Sequence, residues 1–187
     1  MIDIDPKRTA LVLIDLQYGI MRLPTQPYPT ADVLARAKDV AANFRAHNAP
    51  VVLVHVGWFK DFADAPKGHA DAPSRYGSLP EDWQQLDTDL VHDGDIIVLK
   101  HQWGAFTGTD LDVQLRRRGI DHIVIGGIIT NMGVESTVRH GWEIGYNMTV
   151  VEDLCSGLET ELHNMAMQKI LPKISRVVPC ADLNFAL

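Results

Sequence analysis

The chain has 187 residues, enough for one substantial core and too few for two typical domains. Apolar residues make up 46% and charged residues 22%, an ordinary globular composition, and a formal net charge of -7 argues against nonspecific binding to nucleic acid or to acidic membranes. Cys155 and Cys180, the two cysteines, form neither a CxxC pair nor a Cys/His cluster with zinc-ligand spacing. No disulfide framework is expected from them. The acidic N-terminal stretch lacks the apolar core of a secretory signal, and no apolar run approaches the ~20 residues that span a bilayer. The expectation is a cytoplasmic protein that binds neither membrane nor nucleic acid.

In chain order, the first predicted strand is Ala10 to Ile14. Similar β-branched-rich runs follow at Val51 to Val56, Ile96 to Leu99, Ile123 to Ile125, Thr149 to Val151 and Arg176 to Val178. Near-unbroken apolarity, rather than alternation, predicts strands buried on both faces, as in a parallel sheet. After the first strand, Val33, Leu34, Ala37, Ala41 and Phe44 recur at helical spacing, with Thr30 as N-cap and Asn48 near the end. Gly57 to Gly94 breaks the rhythm. Rich in Asp, Pro and aromatic residues, it reads as a long excursion over the sheet, of the kind that forms lids or subunit contacts.

A helix follows the capping residue Thr109, with Asp110 and Asp112 in its first turn, Arg116 to Arg118 in its last and Gly119 beyond. Acid at the start and base at the end complement the helix macrodipole. The next helix starts near Gly133, sets Val134, Val138 and Trp142 on one side, and stops near Gly145. A capping box of Ser156 and Glu159 predicts a last long helix, with Leu158, Leu162, Met165 and Lys169 in a stripe that ends at Pro172. The βαβα alternation, without repeat or linker, predicts one domain over residues 1–187, a three-layer α/β/α fold around a mostly parallel sheet.

In such sheets ligands bind at the carboxyl ends of the strands. Asp15 ends one predicted strand, Lys100 ends another, and Thr130 to Gly133 follow a third. A poorly solvated carboxylate needs a partner, and Lys100 is placed to supply one and to tune an acid/base group. Taken alone, each residue reads more readily as a strand-end charge, and only together, beside the glycine-flanked turn, do the two readings balance. Gly126 and Gly127 let the chain turn, so that N–H groups from Ile129 to Gly133 face outward at a helix start, suited to an anion or a developing oxyanion. An ordinary strand-to-helix connection has the same composition.

These segments resemble the isochorismatase superfamily, whose best-known members are cysteine hydrolases. Leu-Ile-Asp-Leu-Gln around Asp15 matches the family's opening motif, and Leu99 to Leu111 matches its lysine and the downstream Phe-x-Gly-Thr-x-Leu. Gly127 to Tyr146, followed by Val-Val-Glu-Asp at Val150 to Asp153, matches its nucleophile region. The likeness runs from about Thr9 to His163 and implies a Rossmann-like fold around a six-stranded sheet. Carried over by position, Asp15 and Lys100 are the catalytic pair, and Gly133 occupies the place of the catalytic thiol. The family also has a cis peptide just before the position of Ile129, which implies Ile129 and Gly133 as backbone donors of an oxyanion hole.

Glycine cannot form the thioester of the family's amidases. True isochorismatases also carry glycine there, and they cleave an enol ether with the aspartate as proton donor. The resemblance therefore implies a hydrolase without a thiol, acting on a small carboxylate-bearing metabolite, isochorismate being the named example. A catalytically silent binding or scaffold protein is the alternative, and a cysteine amidohydrolase is disfavoured by Gly133. Cys155 is expected in the core rather than as a displaced nucleophile.

The region after Val56 does not reproduce the metal ligands of the family's nicotinamidases, and His55 inside an apolar strand reads as a hydrogen-bonded histidine. No metal and no organic cofactor are expected. Gln17, Trp103, Phe106, Thr130 and Asn131 are the expected substrate-binding residues, with Trp58 reaching in from the excursion and Asn131 also suited to holding the turn. The family's habit implies a homo-oligomer, a dimer or a tetramer.

Overall fold

The computed structural model describes residues 1–72 and 77–185. A short strand, β1 (Ile2–Ile4), precedes β2 (Thr9–Ile14), a one-turn helix α1 (Tyr18–Met21), α2 (Thr30–Ala46) and β3 (Val51–Val56). Then come β4 (Ile96–Lys100), α3 (Leu111–Arg117), β5 (His122–Ile128), α4 (Glu135–Glu143), β6 (Asn147–Ser156), α5 (Thr160–Met165), β7 (Arg176–Val178) and β8 (Leu183–Phe185). Six of the strands form one sheet in the order β4-β3-β2-β5-β6-β7, and every pairing in it is parallel. The six apolar runs of the sequence are these six strands.

Burial on both faces follows from the two helical layers. On one face Ala10, Val12 and Ile14 pack with Leu111 and Leu115 of α3 and Val134 and Val138 beside and within α4. On the other, Leu11 and Leu13 pack with Val33, Ala37, Ala41 and Phe44 of α2. Alternate apolar residues of one strand thus enter two separate cores, and its one polar residue, Thr9, is buried as well. Edge strand β4 departs from this, since Ile97 and Leu99 are exposed where the α2 layer no longer reaches.

Gly126 and Gly127 do not make the turn. Both lie inside β5, opposite Leu13 and Ile14. A Cβ on Gly127 would stand 2.2 Å from the Ile14 carbonyl oxygen, at a backbone φ of +127° that side chains rarely adopt. One on Gly126 would stand 2.5 Å from Leu154 Cγ. The pair lets neighbouring strands approach, and the turn begins three residues later.

Four helical expectations are corrected. Pro29 occupies the N-cap of α2, and no side chain of Thr30 caps it. The proposed capping box of Ser156 and Glu159 does not form. Strand β6 runs on to Ser156, whose hydroxyl donates to Tyr28 O at 2.7 Å. Helix α5 continues into a π-helical turn (Ala166–Ile170), and it buries His163, Ala166 and Met167 while Leu158 and Met165 are exposed. Trp142, expected beside Val134 and Val138, is exposed as well.

The termini add a pair that apolar patterning does not announce: β1 lies parallel to β8. Phe185 of β8 packs edge-on against Phe44, and its ring lies parallel to that of His47. The excursion after β3 packs Leu86 and Leu90 into the α2-side core, and its described part extends over the carboxyl edge of the sheet. Residues 73–76 of that predicted excursion lie outside the described residues.

Candidate active site

Strand order decides where the site forms. From β2 the chain steps outward to β3 and β4, then returns to β5 beside β2 and steps the other way. The connections leaving β2 and β5 therefore diverge, and a crevice opens at their carboxyl ends. Asp15 leaves β2 at this point with φ 55°, in the left-handed region, and its N–H donates to Val54 O at 2.8 Å. Non-glycine residues enter that region at a cost, and such residues concentrate at sites.

The Asp15 side chain is buried, and its Oδ2 accepts a hydrogen bond of 2.7 Å from Lys100 Nζ at the end of β4. Lys100 is fully buried too and donates a second bond, 3.1 Å, to Gln102 O. Asp15 Oδ1 is buried and has no partner among the described residues. Burial pushes the Asp15 carboxyl up to about 6, and the charge and hydrogen bond of Lys100 only partly oppose this. The result is an acid that changes state near neutrality with one oxygen in reserve for a donor.

Beyond β5 the Ile128–Ile129 peptide is cis, and a π-helical turn, Thr130–Val134, leads into α4. Ile129 O accepts the N–H groups of Met132 and Val134, whereas Ile129 N–H has no backbone acceptor among the described residues. Gly133 sits in this turn facing Asp15. A Cβ there would lie 3.0 Å from Ile14 Cγ2, 3.3 Å from Asp15 Oδ2 and 3.4 Å from Trp103 O. A side chain at this position would therefore stand against the carboxylate, in a narrow space.

Asp15, Lys100, Ile129 and Gly133 line one cavity of about 660 Å³. Three of the four tryptophans, Trp58, Trp83 and Trp103, share it. Trp58 and Trp83 have ring centroids 5.4 Å apart, and Trp58 Nε1 donates to His101 O at 2.8 Å. A mostly apolar wall that includes three tryptophans, with one buried charged pair, suits a small ligand held by a few polar contacts.

Four expected substrate-binding residues fall outside that lining. Gln17 is fully buried and imitates a strand backbone. Its Nε2 donates to Val56 O at 2.9 Å and Trp83 O at 3.0 Å, while Oε1 accepts Val56 N–H at 2.7 Å. These three bonds join the end of β3 to the excursion. Phe106 is drawn to the helical layer, where it meets the rings of Tyr146 and His140. Thr130 is fully buried behind the turn against His163. Asn131 lies beside Gly157 instead.

Sequence reasoning overlooked Trp83, His69, His101 and Met132, which do line the cavity. Only Gly19 hinted at Trp83: a Cβ on Gly19 would stand 2.3 Å from the indole. No periodicity reports a contact of that range.

Cys155 is buried in the core, and its thiol is pushed far above the ordinary range by burial. Burial also pushes Cys180 up, to about 12. His55 Nδ1 lies 2.9 Å from Gln84 O, and Asp64 pairs with His101. Among the described residues no three His, Cys, Asp or Glu side chains converge as a metal cluster. A second depression, about 710 Å³ and largely polar, opens at the opposite edge of the sheet around Arg8, Asp121 and His122, and none of the predicted site residues line it. No described helix is long and apolar enough to cross a membrane.

A parallel sheet with a buried acid–cation pair at its switch point defines an α/β protein of the isochorismatase-like hydrolase fold. Residues 9–182 match the isochorismatase domain, and the chain belongs to that family. It is 51% identical over 188 residues to the uncharacterized isochorismatase family protein YecD of Escherichia coli O157:H7, with both chains fully covered. It is 33% identical over 175 residues to the ureidoacrylate amidohydrolase RutB of Pantoea ananatis, spanning 79% of this chain and 69% of that one. Among solved structures, an isochorismatase family protein from Burkholderia thailandensis superposes with a TM-score of 0.93 at 46% identity, over 97% of this chain and 95% of that one.

Proposed function

We propose that this chain is a hydrolase that works without a thiol, with Asp15 as general acid, Lys100 holding and tuning it, and the Ile129 and Gly133 N–H groups as backbone donors to the substrate's carboxylate. The observation that carries this reading is the Asp15 carboxyl itself. It is buried, raised to about 6, held through Oδ2 and, among the described residues, unpartnered at Oδ1, and the glycine faces it. A scaffold has no chemical need to bury such a pair, since removing one partner of a buried ion pair leaves a costly charge.

The substrate proposed is a small carboxylate-bearing enol ether of the isochorismate type. Protonation of its terminal alkene carbon by Asp15 gives an oxocarbenium ion, to which water adds. The resulting hemiketal breaks its C–O bond, releasing pyruvate and the ring alcohol, and a proton from the water returns to Asp15. Neither an oxidant nor a nucleophilic side chain is required. Relatives with amidohydrolase activity keep amide substrates in view, but Gly133 gives no thiolate to attack them.

Pyruvate release from isochorismate by the purified protein tests this, beside Asp15→Ala. Turnover that disappears in the variant is the expected result. An inert wild type would favour the silent binding reading. The same proposal expects a homo-oligomer, supported by the exposed apolar residues Ile97 and Leu99 on edge strand β4, and light scattering after gel filtration measures it.

A further inference from the structure

Thr130 is the first residue of the turn that carries Gly133, yet it lines no part of the cavity. Its hydroxyl lies 2.8 Å from Nδ1 of His163, a fully buried residue of α5. The other ring nitrogen, Nε2, lies 3.0 Å from Glu152 Oε1. A carboxylate only accepts, so Nε2 carries a proton and donates to Glu152, which leaves Nδ1 paired with the Thr130 hydroxyl. Glu152 accepts in turn from the Tyr28 hydroxyl, at 3.0 Å to Oε2.

Tyr28 belongs to the segment between α1 and α2, downstream of Asp15. Its main chain is fastened on both sides by Ser156: its N–H donates to Ser156 Oγ at 3.2 Å, and Ser156 donates to Tyr28 O at 2.7 Å. One line of hydrogen bonds thus joins the turn after β5, helix α5, the end of β6 and the segment that follows Asp15.

We propose that His163 is a positioning residue which, through Thr130, fixes the orientation of the Ile129–Gly133 turn relative to Asp15. This rests on the reading of that turn as the backbone donor site. A hydrophobic side chain in place of the buried imidazole would fill the same space without directing anything, whereas the hydrogen bond fixes a direction. Polar networks buried in this way carry orientation at the expense of desolvation. The turn has need of such a tie, because Ile129 N–H makes no backbone bond of its own among the described residues. The Thr130 hydroxyl is held from behind the turn, by His163.

The test compares wild type with Thr130→Val, which removes only the hydroxyl from a side chain of the same shape, with His163→Gln, and with Thr130→Ser as the rescue. In the full-length, nitrogen-15-labelled protein, the amide resonances of Ile129 and Gly133 report the turn. Both Thr130→Val and His163→Gln are expected to move these resonances and to speed their hydrogen exchange. Thr130→Ser should restore wild-type positions.

Where the wild type turns over isochorismate, the two disrupting variants should lower kcat roughly 10- to 100-fold, with KM changed by less than about twofold. Unchanged Ile129 and Gly133 resonances in both variants would overturn the proposal. So would failure of both to fold, which would assign the network to stability alone. A wild type without turnover leaves the resonance comparison decisive, so loss of the hydrolase reading and loss of the positioning role are read separately.

Discussion

Asp15 is subject to opposed forces, and both are measurable. Burial favours its neutral form, and Lys100 favours the anion. Burial prevails, leaving the group near 6 in the fold against 3.8 in an unperturbed chain. The folded state therefore binds this proton more tightly than the unfolded one. Its contribution to stability is fully present below about pH 3.8 and is lost as pH rises through about 6. The loss is on the order of 3 kcal/mol. Urea titrations at pH 3.5 and pH 7 should show the wild type losing this increment relative to Asp15→Asn.

As a general acid, Asp15 should give kcat/KM that is level below about pH 6 and falls about tenfold per unit above it. A profile that rises through the same window would make it a base instead. Because Lys100 opposes the upward shift, Lys100→Met should move the alkaline limb to higher pH, while a limb left in place would remove Lys100 from the tuning role. At the two thiols the expectation is inertness. Iodoacetamide at pH 7.5 should leave turnover intact and Cys155 unlabelled until the protein unfolds, as mass spectrometry of the native and denatured protein will reveal.

At the scale of elements, the centre of the sheet is set by two adjacent glycines that fail for different reasons. Adding a Cβ to Gly126 strikes Leu154, a side chain, whereas adding one to Gly127 strikes the Ile14 backbone at a positive φ. Gly126→Ala should therefore be partly rescued by Leu154→Ala. Gly127→Ala should cost more than about 4 kcal/mol, with no single side-chain rescue. Thermal unfolding of the three variants separates the two cases, and equal damage by both alanines without rescue would contradict the distinction. Strand β6 shows why its own length escaped detection. Its pairing with β5 shifts between Ile125 and Gly127, so the apolar run Thr149 to Val151 ends while the strand continues through Glu152 and Asp153 to Ser156. Those two polar residues end the apolar run without ending the strand. Their side chains are instead committed: Glu152 to His163 and Tyr28, and Asp153 to the N–H of Cys180.

At the scale of the whole molecule, the two chain ends meet. Pairing of β1 with β8 brings Phe185 over Phe44 of α2, which closes the α2-side core. Phe185→Ala should destabilise the fold by about 3 kcal/mol, because a buried ring is replaced by a cavity. The site lies at the far edge of the sheet, so kcat or ligand affinity should stay unchanged in the same variant. A loss of function at temperatures where the variant is folded would couple the termini to the pocket. On the other side of α2, Arg45 forms a two-pronged pair with Asp95 and bonds Leu90 O, tying the helix to the segment that delivers Lys100.

The sequence by itself determined the six strands of the sheet, the parallel layering and the presence of Asp15, Lys100 and Gly133 at strand ends, because apolar periodicity and strand termini are local features of the chain. It also carried the family, through motifs that keep their order along the chain. Only the tertiary structure decided which polar side chains face the cavity. Gln17 and Thr130 sit within two residues of Asp15 and Ile129 in sequence, yet each makes its side-chain hydrogen bonds to segments far along the chain. Trp83 and His163 enter the story for the same reason, through contacts that no local pattern encodes. A side chain's role at a sheet edge is fixed by whichever distant backbone satisfies it, and that is settled only when the strands are side by side.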